Sequence, residues 1–472
     1  MQIRLLVCVL LPFYLCAQPM AVLNEWKNDV GLSGASYGFC VRDVSTGKIL
    51  AEHNAASLLI PASTLKLLTT SAALDLLGKN FHFQTHLLYT GTFNKQTGVL
   101  QGDLIIRGSG DPSLESENFA GVKISLTDLW AKALKDKGLR EIKGRIIADA
   151  SCFSRAVPDQ WIWGDIGNYY GAVPCGLSYR DNKFKVLFQS KESGSKARVL
   201  GTQPNYVSRP YSIVSEVIGK GSEDEAYVYG DPFGWEKKIS GTIPPNQNNY
   251  EVEAALPDPA LLCAEDFLKS LLKAGIVCTK VSAQSNYQKN DSLKGTWWYT
   301  HNSPSLDKII FYTNTKSINL YCESLVLTMG KGEYKAGLAA IKKYLVSKGM
   351  NADAFYMSDG SGLSRSNTCT ANLLSELLVM IAKDSAMAST MKHSLPQAGK
   401  SGSMSNIGKG SAIEQNMVAK TGYITRARAY SGYVKTKSGK ELAFSVMLNN
   451  YTCSAREAKL KLEKWLISLA EL

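Results

Sequence analysis

Several signatures are missing from this 472-residue chain, and each absence removes a class of function. No segment after the first few residues approaches the roughly 18 apolar residues of a membrane-spanning helix. No C-x-x-C pair occurs among the ten cysteines, which argues against a zinc site. Histidine is scarce, at five residues. His82 and His86 share one face of an alternating segment, but no third ligand lies near them, and polar residues on a solvated strand face are the commoner arrangement. The net charge of +12 would suit nucleic acid, acidic lipid or an acidic wall polymer. Yet the basic residues form no block of five or six, so a solvated basic surface is expected rather than a nucleic-acid footprint. Gly399-Lys400-Ser401 fails as a phosphate loop, because Ser394 stands where glycine is required. No Gly-x-Ser-x-Gly elbow comes with a partnered histidine and acid. Repeats and low-complexity tracts are lacking as well. These gaps predict no metal, no cofactor and no nucleic-acid partner.

What is present describes an exported globular protein. Hydrophobic content of 45% and charged content of 20% fit a folded chain with two or three domains. Arg4, the apolar run 5–15 and Cys16-Ala17-Gln18 read as a signal peptide over residues 1–17, cleaved after Ala17. Lipid attachment at Cys16 is disfavoured by bulky Tyr14 and Leu15. Export permits disulfides among the eight remaining cysteines. Cys152–Cys175 and Cys263–Cys278 are nearest in sequence, and buried free thiols are the ordinary alternative. Trp161, Trp163, Trp297 and Trp298 could stack on sugars, although core or interface positions are more usual for this residue.

The stretch Ile60-Pro61-Ala62-Ser63-Thr64-Leu65-Lys66-Leu67-Leu68 is the most informative. Pro61 suits a helix start and Gly78 a helix stop. Residues i and i+3 share a helix face, so Ser63 and Lys66 project together. Ser63 falls in the first turn, where unpaired N–H groups and the helix dipole favour developing negative charge. A hydroxyl beside an amine in apolar surroundings is a candidate nucleophile with its own base, because burial favours the neutral lysine. Ser-x-x-Lys also occurs at Ser45/Lys48, Ser193/Lys196, Ser270/Lys273 and Ser305/Lys308, where a capping serine and a solvated lysine suffice. The Ser63 match differs because Leu65, Leu67, Leu68, Leu74, Leu76 and Leu77 leave almost no polar face, so its helix should be buried.

Periodicity organises the rest. Residues 36–44 and 49–53 read as a hairpin ahead of the Ser63 helix. Residues 81–87 alternate as a strand, and further strands are expected at 102–107, 144–148, 183–189, 211–217 and 250–256, with a helix over 125–139. Helical texture returns after 303. Residues 417–423 read as a strand in which Gly422 permits close approach of the backbone to a ligand. A hairpin over 427–434 and 442–449 and an amphipathic helix over 455–469 follow. The predicted class is α/β (α+β). One antiparallel sheet flanked by helices is built from both chain ends (18–80 and 291–472) and interrupted by a β-rich insert (81–290).

Three short elements carry the chemistry: Ser63-Thr64-Leu65-Lys66, Ser317-Ile318-Asn319 and Lys420-Thr421-Gly422. This ordered set is already associated with penicillin-binding proteins and class A β-lactamases. Their spacing, Asn319-Leu320-Tyr321-Cys322-Glu323, Asp359-Gly360-Ser361-Gly362-Leu363-Ser364, Gly102-Asp103-Leu104 and Gly108-Ser109-Gly110-Asp111-Pro112 extend the likeness. The chain resembles the low-molecular-mass class C D-alanyl-D-alanine carboxypeptidases, the S13 peptidases, over nearly its whole mature length. The resemblance implies a serine β-lactamase/transpeptidase-like domain and a Ser63 acyl-enzyme acting on peptidoglycan stem peptides. It also implies inhibition by β-lactams and a place in the periplasm or cell envelope, with no transmembrane segment once the signal is removed. Activity on cross-linked peptides as an endopeptidase is a further expectation. A β-lactamase and a non-catalytic wall-binding protein are the alternatives.

The roles follow the same resemblance. Lys66 takes the Ser63 proton, Lys420 supplies a second cation, Ser317 relays a proton to the leaving amine, and Asn319 orients Lys66 and the substrate amide. The backbone N–H groups of Ser63 and Tyr423 form the oxyanion hole. Lys420, Thr421 and a loop hydroxyl hold the terminal carboxylate beside Gly422. Ser361 and Arg365 shape a pocket for the diamino-acid side chain, lined by Tyr169 or Tyr170; a surface salt bridge is the ordinary role for Arg365. Two positions depart from the family pattern: Ile318 is apolar, and Tyr423 replaces a frequent Thr or Ser.

Overall fold

The computed structural model describes residues 17–119, 124–205, 209–279, 281–289 and 292–472. The expected signal peptide lies, but for Ala17, outside the described residues. Among the described residues no helix is long and apolar enough to cross a membrane. The chain divides into two compact units.

The first unit takes the residues up to Asn80, then Leu306–Ile318 and Leu338–Leu472. Its centre is a five-stranded antiparallel sheet in the order Ile49–His53, Ser36–Asp43, Glu441–Asn449, Ala427–Lys435, Met417–Ile424. Both hairpins follow from local chemistry. In the first turn the Asp43 carboxylate accepts from Ser45 Oγ and Thr46 N, and Gly47 takes a φ of 77°. In the second, Gly439 takes a φ of 85°. Strand pairing places Phe39 opposite Val446 and Val41 opposite Phe444 on one face. That face buries against Trp465, Leu462 and Leu466 of the C-terminal helix Ala455–Ser468 and against Val22, Leu23 and Trp26 of the helix Ala17–Lys27. Ser454 and Glu457 close a capping box on the C-terminal helix. The helix Ala371–Lys383 packs on the strands Ser36–Asp43 and Glu441–Asn449. The expected sheet built from both chain ends is present.

The second unit takes Phe81–Ser305 and Asn319–Gly337. A mixed five-stranded sheet runs Ala283–Asn286, Ile146–Asp149, Leu104–Arg107, Gln84–Tyr89, Thr296–Asn302. Leu104, Ile106, Ile146 and Ala148 bury with Trp130 and Leu134 of the helix Leu126–Asp136 and Phe267 of the helix Pro259–Lys273. Smaller sheets complete the unit, among them Arg198–Gln203, Lys183–Ser190, Gln247–Ala255, where Lys183–Ser190 alternates buried and half-buried positions along its length.

One strand boundary is corrected, and the alternatives for the cysteines are decided. The strand predicted over 81–87 begins at Gln84. Phe83 N donates to the Ser303 hydroxyl instead of to a neighbouring strand. Of the two readings left open for the cysteines, the free-thiol one holds: all eight described cysteines are free, five of them buried. Burial pushes the Cys152 and Cys175 thiols up to about 12.

Candidate active site

The nucleophile's turn is held from both ends of its sequence. Ile60 N donates to Asn449 Oδ1 at 2.7 Å, and Asn449 Nδ2 donates back to Ile60 O at 3.1 Å, which fixes the entry to the turn on the end of a sheet strand. A 3₁₀ turn over Ala62–Leu65 then leads into the helix Lys66–Leu77, which stops at Gly78 with φ 83°. Ala62 takes a φ of 46°, a left-handed conformation rare for a residue with a side chain. Such strain is retained only where the surroundings over-determine it. Burial extends from Lys66 to Leu74 without a break. The helix hydroxyls find internal partners: Thr69 Oγ1 donates to Gly360 O and Thr70 Oγ1 to Lys66 O.

Lys66 is fully buried. Its Nζ stands 3.0 Å from Ser63 Oγ and 2.8 Å from the carbonyl of Ser361. Ser361 therefore meets Lys66 through its main chain. The loop that presents this carbonyl is organised by Asp359, whose buried carboxylate accepts from Gly362 N (2.8 Å), Ser364 N (2.6 Å) and Asn367 Nδ2 (2.8 Å). Gly362 is obligatory there. Its φ is 82°, and a Cβ would lie 1.9 Å from Ala62 O.

Lys420 is likewise fully buried. Its Nζ is 2.9 Å from Ser317 Oγ and 2.8 Å from Thr421 O. Ser317 has a φ of 61°, so it cannot continue the preceding helix Leu306–Thr315. Two residues along the edge strand Met417–Ile424, a Cβ on Gly422 would come within 2.5 Å of Pro61 O and 3.1 Å of Ser63 N. The strand therefore runs against the nucleophile's turn. The close approach expected at Gly422 is to the protein's own backbone. Thr421 Oγ1 donates to Ser403 Oγ at 2.7 Å, a loop hydroxyl no sequence signal had singled out.

The first unit thus gathers Ser63, Lys66, Ser317, Lys420, Thr421, Gly422 and the Ser361 carbonyl. Tyr423 is half exposed, with the Arg428 guanidinium 4.4 Å from its ring centre. Arg365 Nη2 donates to Thr425 O at 2.5 Å. Asn319 opens the helix Asn319–Met329, which belongs to the second unit. Its Nδ2 donates to Tyr170 O at 2.8 Å. Two residues on, the Tyr321 hydroxyl donates to Asp181 at 3.0 Å and meets Ser116 Oγ. Asp181 lies in three consecutive left-handed residues, Arg180 to Asn182. His82 and His86 do not converge on a metal: His82 Nδ1 lies 2.7 Å from Ser303 O and His86 Nδ1 lies 3.0 Å from Thr300 Oγ1. Among the described residues no group of three His, Cys, Asp or Glu could hold a metal ion.

A serine hydroxyl in contact with a buried lysine, next to a second Ser–Lys pair on a sheet edge, is an arrangement capable of serine acyl transfer. Residues 20–469 match the D-Ala-D-Ala carboxypeptidase 3 (S13) family, and the chain belongs to that family. A D-alanyl-D-alanine carboxypeptidase from Actinomadura sp. (strain R39) is 29% identical over 462 residues, spanning 92% of this chain and 82% of that protein. The carboxypeptidase DacB of Haemophilus influenzae is 26% identical over 445 residues, 91% of this chain and 88% of its own. Among solved structures, penicillin binding protein 4 from Haemophilus influenzae superposes with a TM-score of 0.77 at 24% identity, covering 95% of this chain and 98% of that one. A predatory peptidoglycan endopeptidase from Bdellovibrio bacteriovorus gives 0.51 at 16% identity, covering 93% and 94%. The predicted fold class and enzyme class are both borne out.

Proposed function

We propose that this protein is an exported serine D-Ala-D-Ala carboxypeptidase that trims peptidoglycan stem peptides, opens D-alanyl cross-links and is acylated by β-lactams. The observation that carries this reading is the 3.0 Å contact between Ser63 Oγ and the fully buried Lys66 amine. Burial disfavours an ammonium, and an uncharged amine can accept the hydroxyl proton. Ser63 Oγ then bonds to the scissile carbonyl carbon as its proton passes to Lys66 Nζ. The carbonyl oxygen becomes an oxyanion, held by the N–H groups of Ser63 and Tyr423. A lost donor of this kind typically costs about 3–4 kcal/mol of transition-state stabilisation. As the C–N bond breaks, Ser317 relays the proton held on Lys66 to the departing D-alanine nitrogen, which leaves that lysine uncharged again. Water then attacks the ester carbon, and Lys66 takes its proton and returns it to Ser63 Oγ as the acyl C–O bond breaks. Lys420, Thr421 and Ser403 receive the substrate carboxylate, and Asn319 orients the substrate amide. Tyr423 extends beside that carboxylate site, and Arg365 rims the side-chain pocket.

Purified protein should release D-alanine from monomeric stem peptides and monomers from cross-linked ones, and Ser63→Ala should abolish both. Rapid turnover of penicillin without release of D-alanine would overturn the proposal in favour of a β-lactamase. Binding of wall peptides without any cleavage would overturn it in favour of a non-catalytic protein.

A further inference from the structure

The four tryptophans raised as sugar platforms part company in the structure. Trp161 is buried and Trp298 packs between Tyr89 and Phe93, whereas Trp163 and Trp297 are 59% and 61% exposed; Trp297 lies 4.0 Å from the His86 ring and does not line the concavity at which Trp163 stands. Trp163 lies at a concavity of about 580 Å³ in the second unit. That volume falls in the roughly 300–1,000 Å³ range of small-molecule sites. The floor is the outer face of a three-stranded sheet, Ser212–Ser215, Glu236–Ser240, Tyr227–Tyr229. Register sets Val214, Lys238 and Tyr229 abreast across the three strands, and Ser212 beside Glu236. The inward residue Ile239 anchors the sheet in the core.

This aromatic is not on a loose arm. Trp163 begins a short helical turn, Trp163–Ile166, whose Gly164 carbonyl accepts from Asn168 Nδ2 at 2.7 Å. Asn168 Oδ1 in turn accepts from Val228 N on the sheet at 3.0 Å. A Cβ on Gly167 would lie 2.1 Å from Val228 O, so the turn is pressed onto the strand. The polar groups around the ring are of mixed type: a hydroxyl at Ser212, a carboxylate at Glu236 with no ion pair among the described residues, and Lys238, which faces Glu216 at 3.0 Å.

An exposed indole on an anchored turn, with a hydroxyl, an acid and an amine around it, is the chemistry that recognises a saccharide. The apolar C–H face of the sugar covers the ring, while its hydroxyl and acetamido groups need both donors and acceptors. A nucleic-acid strand would call for cations without the acid, and an apolar peptide for a floor without charges. We propose that this concavity is a secondary saccharide-binding site that takes the N-acetylated amino-sugar backbone of the cell-wall polymer. The choice of polymer rests on the proposed function; the site itself does not.

Full-length protein should co-sediment with insoluble glycan strands stripped of their stem peptides, and Trp163→Ala should weaken that binding about tenfold. Trp163→Phe, which keeps an aromatic face, should retain part of it. Covalent penicillin labelling and thermal stability should match wild type in both variants, because the side chain is exposed. Equal sedimentation of wild type and Trp163→Ala would overturn the assignment. So would binding of wild type only to glycan that still carries its peptides. Loss of penicillin labelling in wild type would instead contradict the proposed function, which keeps the two failures apart.

Discussion

Asp111 shows how much one buried oxygen can matter. Its Oδ1 accepts from Ser113 N and Oγ, but its Oδ2 is buried without a partner. Burial, working against the Ser113 bonds, pushes the carboxyl up to about 6 from its ordinary 3.8. Because the folded value is the higher one, the unfolded chain loses this proton first. The group's contribution to stability is full below about pH 4, falls as pH rises to about 6, and is then level at a deficit of about 3 kcal/mol. Asp111→Asn, which keeps an acceptor for Ser113, should therefore be more stable than wild type at pH 7.5 and indistinguishable from it at pH 4 in denaturant titrations. A pH-independent difference would contradict the assignment. Gly362→Ala makes a second test. A Cβ 1.9 Å from the Ala62 carbonyl must push the nucleophile's turn or the Ser361 carbonyl aside. Penicillin acylation should slow at least tenfold, by the loss of about 1.4 kcal/mol or more. The Ser63–Lys66 contact was legible because i, i+3 spacing is a property of the helix alone. Asn449 was not, since its bonds to Ile60 span 389 residues, nor was Asp359, whose carboxylate matters through the loop it shapes.

At the scale of elements, the C-terminal helix holds the sheet face together through Trp465. This side chain is fully buried, with its ring 4.9 Å from Phe39 and 6.2 Å from Phe444. Trp465→Ala should cost about 3–5 kcal/mol and lower Tm accordingly, read by calorimetry. Apolar strands on either side of an identifiable turn were legible: the predicted 427–434 and 442–449 hairpin is observed as Ala427–Lys435 and Glu441–Asn449. The helical texture expected after 303 is broken at Ser317, which sits in the left-handed region, so one helix ends at Thr315 and the next spans Asn319–Met329. Two-residue strands such as Ile218–Gly219 and Thr242–Ile243 left no trace in the sequence, since two residues carry no period and only pairing defines them.

Across the whole molecule, the two ends of the sequence meet in one sheet, so the first unit is complete only when the last hairpin has been made. Its stability comes from packing rather than cross-links, as the described cysteines are all free thiols. Denatured protein should therefore titrate eight thiols from the described chain without prior reduction, and dithiothreitol should leave Tm unchanged. The sequence left disulfides and free thiols open, because nearness in sequence says nothing about whether two sulfurs meet; burial of most of these side chains was the sounder guide. The central claim concerns convergence: a hydroxyl at 63 activated by a buried amine at 66, beside a second Ser–Lys pair brought from 317 and 420. Peptide mapping by mass spectrometry after exposure to penicillin tests it most directly. A covalent adduct on the peptide containing Ser63, absent in Ser63→Ala and strongly slowed in Lys66→Met, is the predicted result; an adduct on another residue, or undiminished labelling in Lys66→Met, would contradict it.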